Sequence, residues 1–305
     1  MKSHFVSRIA YLAHVEATRG TRSSRDTNNA IRDTVLELRG ISKTFRSDAG
    51  DRVAALEGID LTIRRGEFVT LVGPTGCGKT TLLDIIAGIT EPDRGSCYRG
   101  PTDGHACDQP SGVRRKAPSD ASRFTFHASR TAYVFQHYTL FPWRTTLANV
   151  AFGLQMRGVS RRERSARATA LLARVGLAGF EKSRPHELSG GMRQRAAIAQ
   201  ALAIEPELLL MDEPFGAVDD ATRAELQQML VELWEDRGMT ILFVTHNIDE
   251  ALLLGSRVVV VGGRPGHVVR EFDVNLPRPR DASADRFTEL FIEVRKALSS
   301  PPNGG

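Results

Sequence analysis

The sequence predicts an α/β fold, a mostly parallel sheet covered by helices, and three observations carry that prediction. Short apolar runs recur along the chain at Val35 to Leu38, Phe68 to Val72, Ala132 to Phe135, Glu207 to Met211, Thr240 to Val244 and Val258 to Val261. They are apolar at successive positions, so both faces of each strand must be covered. Helical patterns separate most of them, at Thr80 to Ile86, Arg161 to Val175, Gly190 to Ala203 and Ala221 to Asp236. Alternating strand and helix is the pattern of a sheet built from crossovers. The chain of 305 residues is 41% hydrophobic, which supplies a real core and excludes disorder as its main state.

Other functions are excluded early. No stretch approaches the roughly 18 apolar residues of a spanning helix. Cys77, Cys97 and Cys107 match neither a disulfide framework nor a zinc spacing, which fits a reducing compartment. The net charge is +5, but the basic residues, all but six of them arginine, are spread without a block of like charge. That spread argues for a solvated basic surface and against a nucleic-acid partner.

Taken in order, residues 1–33 are short of large apolar residues after Val15 and carry several arginines. A flexible leader is expected, with Arg8 and His14 interrupting any signal-peptide core. The strand Phe68 to Val72 runs into Gly73-Pro74-Thr75-Gly76-Cys77-Gly78-Lys79-Thr80-Thr81, which opens a helix. This is G-x-x-x-x-G-K-[ST] in its required strand–loop–helix setting. Glycines let backbone N–H groups converge on a phosphate, and the helix N-terminus favours the negative charge. Lys79 would reach the β- and γ-phosphates and Thr80 would ligate Mg²⁺. Residues 99–130, rich in Gly, Pro, Ser and Asp with Arg114-Arg115-Lys116 among them, read as an inserted loop.

Further on, Leu188-Ser189-Gly190-Gly191-Met192-Arg193-Gln194-Arg195 runs into an apolar helix. Ser189 is placed as an N-cap, and Gly190 and Gly191 bare the first amides, so this is a second helix-terminal anion site. A chain with one phosphate loop has no obvious need of it unless another copy brings the nucleotide, so a shared intersubunit site is expected. The apolar run Leu208 to Met211 ends in Asp212-Glu213. Asp212 would hold Mg²⁺ through water. Glu213, pointing differently because strand side chains alternate, could take a proton from an attacking water.

These motifs, in this order, resemble the ATP-binding cassette (ABC) ATPases over about residues 34 to 297. The resemblance implies a P-loop NTPase cassette with a mostly parallel core, a peripheral antiparallel β region and a helical signature subdomain at about 137–205. It implies that Gln136 senses Mg²⁺ and the attacking water, and that Ser189, Gly190 and Gly191 meet ATP held by a partner cassette. It implies that Asp219 lies at the dimer interface, that His246 contacts the γ-phosphate and that Phe45 stacks on adenine. The expected cofactors are ATP and Mg²⁺, sandwiched twice in a head-to-tail homodimer. Lys79, Glu213, His246 and Gln136 would carry the catalysis.

Phe141-Pro142-Trp143-Arg144, close after Gln136, suits a coupling contact with transmembrane permease subunits. The Leu140-Phe141-Pro142-Trp143 segment is similar to the nitrate, aliphatic sulfonate and taurine importer ATPases. So are Gly263-Arg264-Pro265-Gly266, Leu276-Pro277-Arg278-Pro279-Arg280-Asp281 and an amphipathic helix from about Asp285 to Leu298. The expected organisation is a leader at 1–33, the ATPase domain at 34–270 and a tail at 271–305. The resemblance implies an ATP-hydrolysing importer subunit, peripheral on the cytoplasmic face of the membrane and served indirectly by a solute-binding protein. The alternative is a soluble ABC ATPase of DNA repair or translation. Those carry two cassettes or coiled-coil arms, whereas this sequence has one phosphate loop, one signature and no sustained heptads.

Overall fold

The structure, a computed structural model, describes residues 33–46, 51–99 and 131–299. Nearly all of the expected leader and loop insertion, with Cys107 and the Arg114–Lys116 cluster, therefore lies outside the described residues. Nine strands are described: β1 (Thr34–Arg46), β2 (Arg52–Arg64), β3 (Phe68–Val72), β4 (Arg94–Arg99), β5 (Thr131–Val134), β6 (Leu208–Asp212), β7 (Thr240–Thr245), β8 (Arg257–Gly262) and β9 (His267–Asp273). The helices among them are α1 (Lys79–Ala87), α2 (Thr146–Val150), α3 (Phe152–Met156), α4 (Arg161–Arg174), α5 (Gly190–Leu202), α6 (Asp220–Arg237), α7 (Ile248–Leu254) and α8 (Asp285–Ser299).

The main sheet has the order β5-β6-β7-β3-β8-β9. Every pair is parallel except β8 with β9. A second, antiparallel sheet has the order β2-β1-β4. Strand periodicity explains why the central runs are apolar throughout. Leu209, Met211, Ile241 and Phe243 face a cluster that includes α5 and α6. Their neighbours Leu208, Leu210, Leu242 and Val244 face the opposite way, against α1 and the antiparallel sheet. Each such side chain contributes about 1.5–3 kcal/mol when fully buried, so neither face could be polar without loss of fold.

The elements that escape sequence reading have identifiable physical causes. β2 alternates Ile59, Leu61 and Ile63 inward with exposed residues between, but a shift of register near Lys43 and Leu56 breaks its period. β9 is an edge strand that buries only Phe272. Helix α7 spans seven residues, too few for a helical period to declare itself. Conversely α8 is strongly amphipathic: Phe287, Leu290, Val294 and Ala297 are buried against α7 and β8.

The arm between β9 and α8 fastens α7 from its C-terminal side. Arg280 donates to the carbonyls of Leu252 (2.5 Å), Gly255 (2.6 Å) and Val274 (3.0 Å). Arg278 donates to Leu253 O at 3.1 Å and to Leu254 O, with its guanidinium 4.9 Å from the Trp234 ring. A helix ends with four orphan carbonyls, and two cations here both satisfy them and complement the negative end of the helix dipole.

Candidate active site

Parallel strands bring their carboxyl ends to one edge of the sheet, and the chemistry-bearing residues collect there. Residues 73–78 leave β3 and enter α1; Asp212 and Glu213 leave β6; His246 leaves β7; Gln136 lies two residues beyond β5. Gly76 and Gly78 have φ of 80° and 90°, which L side chains adopt only under strain. Space is also a constraint. A Cβ on Gly73 would collide with Val261 O, and one on Gly78 would lie 2.7 Å from Ala55 O. The loop is therefore pressed between β8 and β2 on its outer side.

Lys79 is buried at 5% exposure, and its ammonium donates to Gly73 O (2.7 Å) and Pro74 O (2.9 Å). Glu213 is held from two sides: Oε1 is 3.9 Å from Lys79 Nζ and Oε2 is 2.9 Å from His246 Nδ1. Its backbone has φ of 42°, a left-handed conformation unusual for a residue with a side chain. The peptide is fixed there by Glu213 N donating to Val244 O at 3.0 Å. The strained turn separates the two acids: Asp212 is buried at the strand end, while Glu213 meets His246 at the surface.

Burial pushes the Asp212 carboxyl up, opposed by a hydrogen bond from the Thr80 side chain. The Tyr133 hydroxyl, whose own pKa is pushed up first by burial, is shared between Asp84, at 3.4 Å, and Asp212. Tyr133 escapes the sequence reading, where it is only a strand residue; the contact joins β5 to β6 and α1. The donor chemistry suits a small hard cation. Thr80 and Asp212 offer oxygen ligands, and among the described residues no group of three or more His, Cys, Asp or Glu could cage a metal alone. Magnesium is bound that way, through one or two carboxylates with water and phosphate oxygens completing its shell.

Apart from Gln136, the remaining predicted residues sit away from this edge cluster. Phe45, on β1 opposite Val53, is 42% exposed, with Lys43 Nζ 5.5 Å from its ring centroid. Its hairpin reaches the phosphate loop through Ala55 and Leu56, which abut Gly78. Gln136 is exposed. Ser189 caps α5 by accepting from Met192 N at 3.2 Å. A Cβ on Gly191 would run into Thr222 Cγ2. Asp219 caps α6, accepting from Thr222 N (3.0 Å) and Thr222 Oγ1 (2.8 Å), and these bonds lower its pKa. The signature and the Asp219 turn thus form one packed unit around Thr222. Arg264, absent from the predicted site, donates to Thr75 O at 3.3 Å.

A phosphate cradle entering a helix, its lysine, and an acid pair at a neighbouring strand end define a P-loop nucleoside triphosphatase. Comparison with known proteins narrows the class. The chain belongs to the ABC transporter family, whose model matches residues 56–216, and it is an ATP-binding cassette ATPase. It is 42% identical over 274 residues to a taurine import ATP-binding protein of Rhizobium johnstonii, covering 87% of this chain and 97% of that one. It is 40% identical over 258 residues to a nitrate import ATP-binding protein of Synechocystis, covering 85% and 89%. Among solved structures, a dimeric ATP-binding cassette bound to ADP and phosphate in a post-hydrolysis state matches with a TM-score of 0.66 and 33% identity, covering 79% of this chain and 99% of that one.

Proposed function

We propose that the chain powers an importer of small oxoanions, such as nitrate, taurine or other aliphatic sulfonates, through transmembrane permease subunits fed by a solute-binding protein. The observation that carries the hydrolytic reading is the Lys79–Glu213–His246 cluster, with Glu213 within 3.9 Å of Lys79 and 2.9 Å of His246. The oxoanion reading rests on the taurine and nitrate relatives and on the Leu140–Trp143 and Arg278–Arg280 segments. The same relatives weigh against a role in DNA repair or translation. No helix among the described residues is long and apolar enough to cross a membrane. Trp143 is 70% exposed and tilted against Phe141 at 5.5 Å between ring centroids, which supports a permease contact and a peripheral place at the cytoplasmic face of the membrane.

In this reading the 73–78 amides and Lys79 bind the β- and γ-phosphates, and Phe45 stacks on adenine. Thr80, Asp212 and Gln136 hold Mg²⁺, which would neutralise the developing phosphate charge. Glu213 orients water and accepts its proton, while His246 positions the γ-phosphate and is itself held by Glu213. Catalysis is then positioning plus electrostatics. Ser189, Gly190, Gly191 and Asp219 act across a head-to-tail homodimer, on ATP held by the other copy.

Glu213→Gln keeps the shape and removes the base. Its steady-state ATPase is expected to fall by about 100-fold or more, with ATP affinity within twofold of wild type. Normal turnover in that variant would refute the assignment. Restoration of taurine, sulfonate or nitrate uptake in cells carrying the cognate permease fixes the substrate.

A further inference from the structure

The turn between β8 and β9, residues 263–266, is moulded onto the outer face of the phosphate loop at several points. Gly73 abuts Val261 O, and a Cβ on Gly266 would collide with Cys77 O. Gly266 N donates to Ala55 O and Gly266 O accepts from Glu57 N, both at 2.9 Å, which ties the turn to β2 as well. At the centre lies Arg264. Its Nη2 donates to Thr75 O at 3.3 Å and fills the space where a side chain on Gly76 would stand.

We propose that Arg264 is a positioning residue of the nucleotide site, acting on the Thr75–Gly76 peptide and, through its charge, on the phosphates. The inference rests on the phosphate-loop reading above. A trans peptide is planar, with its C=O and N–H pointing in opposite directions. A guanidinium bonded to Thr75 O on the outer face therefore turns Gly76 N–H toward the inner face, where phosphate amides are needed. The same bond polarises the peptide and makes its N–H a stronger donor. Among the described residues no carboxylate pairs with Arg264, so its charge is not neutralised locally. Gly76 serves both demands, since φ of 80° and the guanidinium over its Cα each exclude a side chain.

The test is equilibrium binding of ATP, ADP and AMP to the purified full chain, by competition with a fluorescent nucleotide at low and moderate salt. Arg264→Ala is expected to weaken ATP and ADP about tenfold while AMP changes less than twofold. Arg264→Lys is expected to recover part of the loss at low salt only, since it restores charge without the fork. Arg264→Gln, which guards against misfolding, should bind ATP as weakly as the alanine variant. ATP affinity within twofold of wild type in a folded Arg264→Ala or Arg264→Gln chain overturns the proposal. Lys79→Ala run in parallel separates the causes: if it loses binding while the Arg264 variants do not, only Arg264 is misassigned. If Lys79→Ala also binds normally, the phosphate-loop reading falls and takes the proposal with it.

Discussion

Two helices of this chain begin with glycine-rich turns, and they are finished in opposite ways. Helix α1 starts after Gly78 with no side chain accepting from its first amides, whereas α5 starts after Ser189, which accepts from Met192 N. The longer helices α4 and α6, and the short α7, follow α5, capped by Ser160, Asp219 and Asn247. Every helix begins with four orphan N–H groups, so the physical demand is the same at each. At α1 no side-chain cap meets the demand, and the surroundings suit an anion from outside: Lys79 buried, Glu213 beside it, Arg264 behind the loop. At α5 the chain satisfies the demand itself and still leaves the Ser189 hydroxyl at the surface. In the proposed function the first start is a binding site within one chain, and the second, finished alone, would gain a nucleotide contact only when another copy supplies it.

Removing the charge at the first start is the largest way to break this contrast. Lys79→Ala is expected to weaken ATP binding about 100-fold, the worth of a charged hydrogen bond in a buried site, as read by calorimetry. Gly76→Ala comes next. It combines a left-handed strain of about 1–2 kcal/mol with displacement of Arg264, for a loss of roughly 20-fold in ATP affinity at little cost to secondary structure by circular dichroism. Ser189→Ala should behave differently in kind. It removes a cap worth about 1 kcal/mol in chemical denaturation, yet ATP affinity of the single chain should not move. A fall in that affinity would erase the distinction between the two starts.

The smallest effect concerns the start of α7, which is capped as α5 is. Glu250 is buried there at 6% exposure and accepts from Gln227 Nε2 at 3.0 Å. Thr245 also bonds it, and Arg223 and His246 supply nearby positive charge. Burial nevertheless raises its pKa, so the folded chain holds the proton more tightly than the unfolded one. Its ionised form therefore costs stability, and that cost appears as pH rises through the folded pKa. Glu250→Gln should raise Tm by about 2 °C at pH 8 and by nothing measurable at pH 4. An equal gain at both pH values would show that packing, not charge, is responsible.

The same contrast decides what was legible in the sequence. The 73–81 loop, Ser189–Gly191 and Asp212-Glu213 are each contiguous, so the residues that act together are printed together, and the flanking strands declare themselves by burial on both faces. Arg264 and Thr75 lie 189 positions apart, and only the fold joins them. Tyr133 is hidden in the same way, because its partners Asp84 and Asp212 belong to other elements. Its hydroxyl gives no local pattern. Arg278 and Arg280 read as a family-like segment, but that they cap α7 follows from a turn of chain no period predicts. Strands β2, β4 and β9 lack the doubly apolar run because each lies outside the parallel core.

The central claim is that one chain carries two halves of an ATP site that only a second copy unites. Light scattering of Glu213→Gln with and without ATP tests it most directly, since binding is kept while turnover is removed. The account predicts a monomer without nucleotide or with ADP, and a dimer with ATP that Ser189→Arg in the same background abolishes. A chain that stays monomeric at saturating ATP, or a dimer indifferent to both ATP and Ser189, would contradict it.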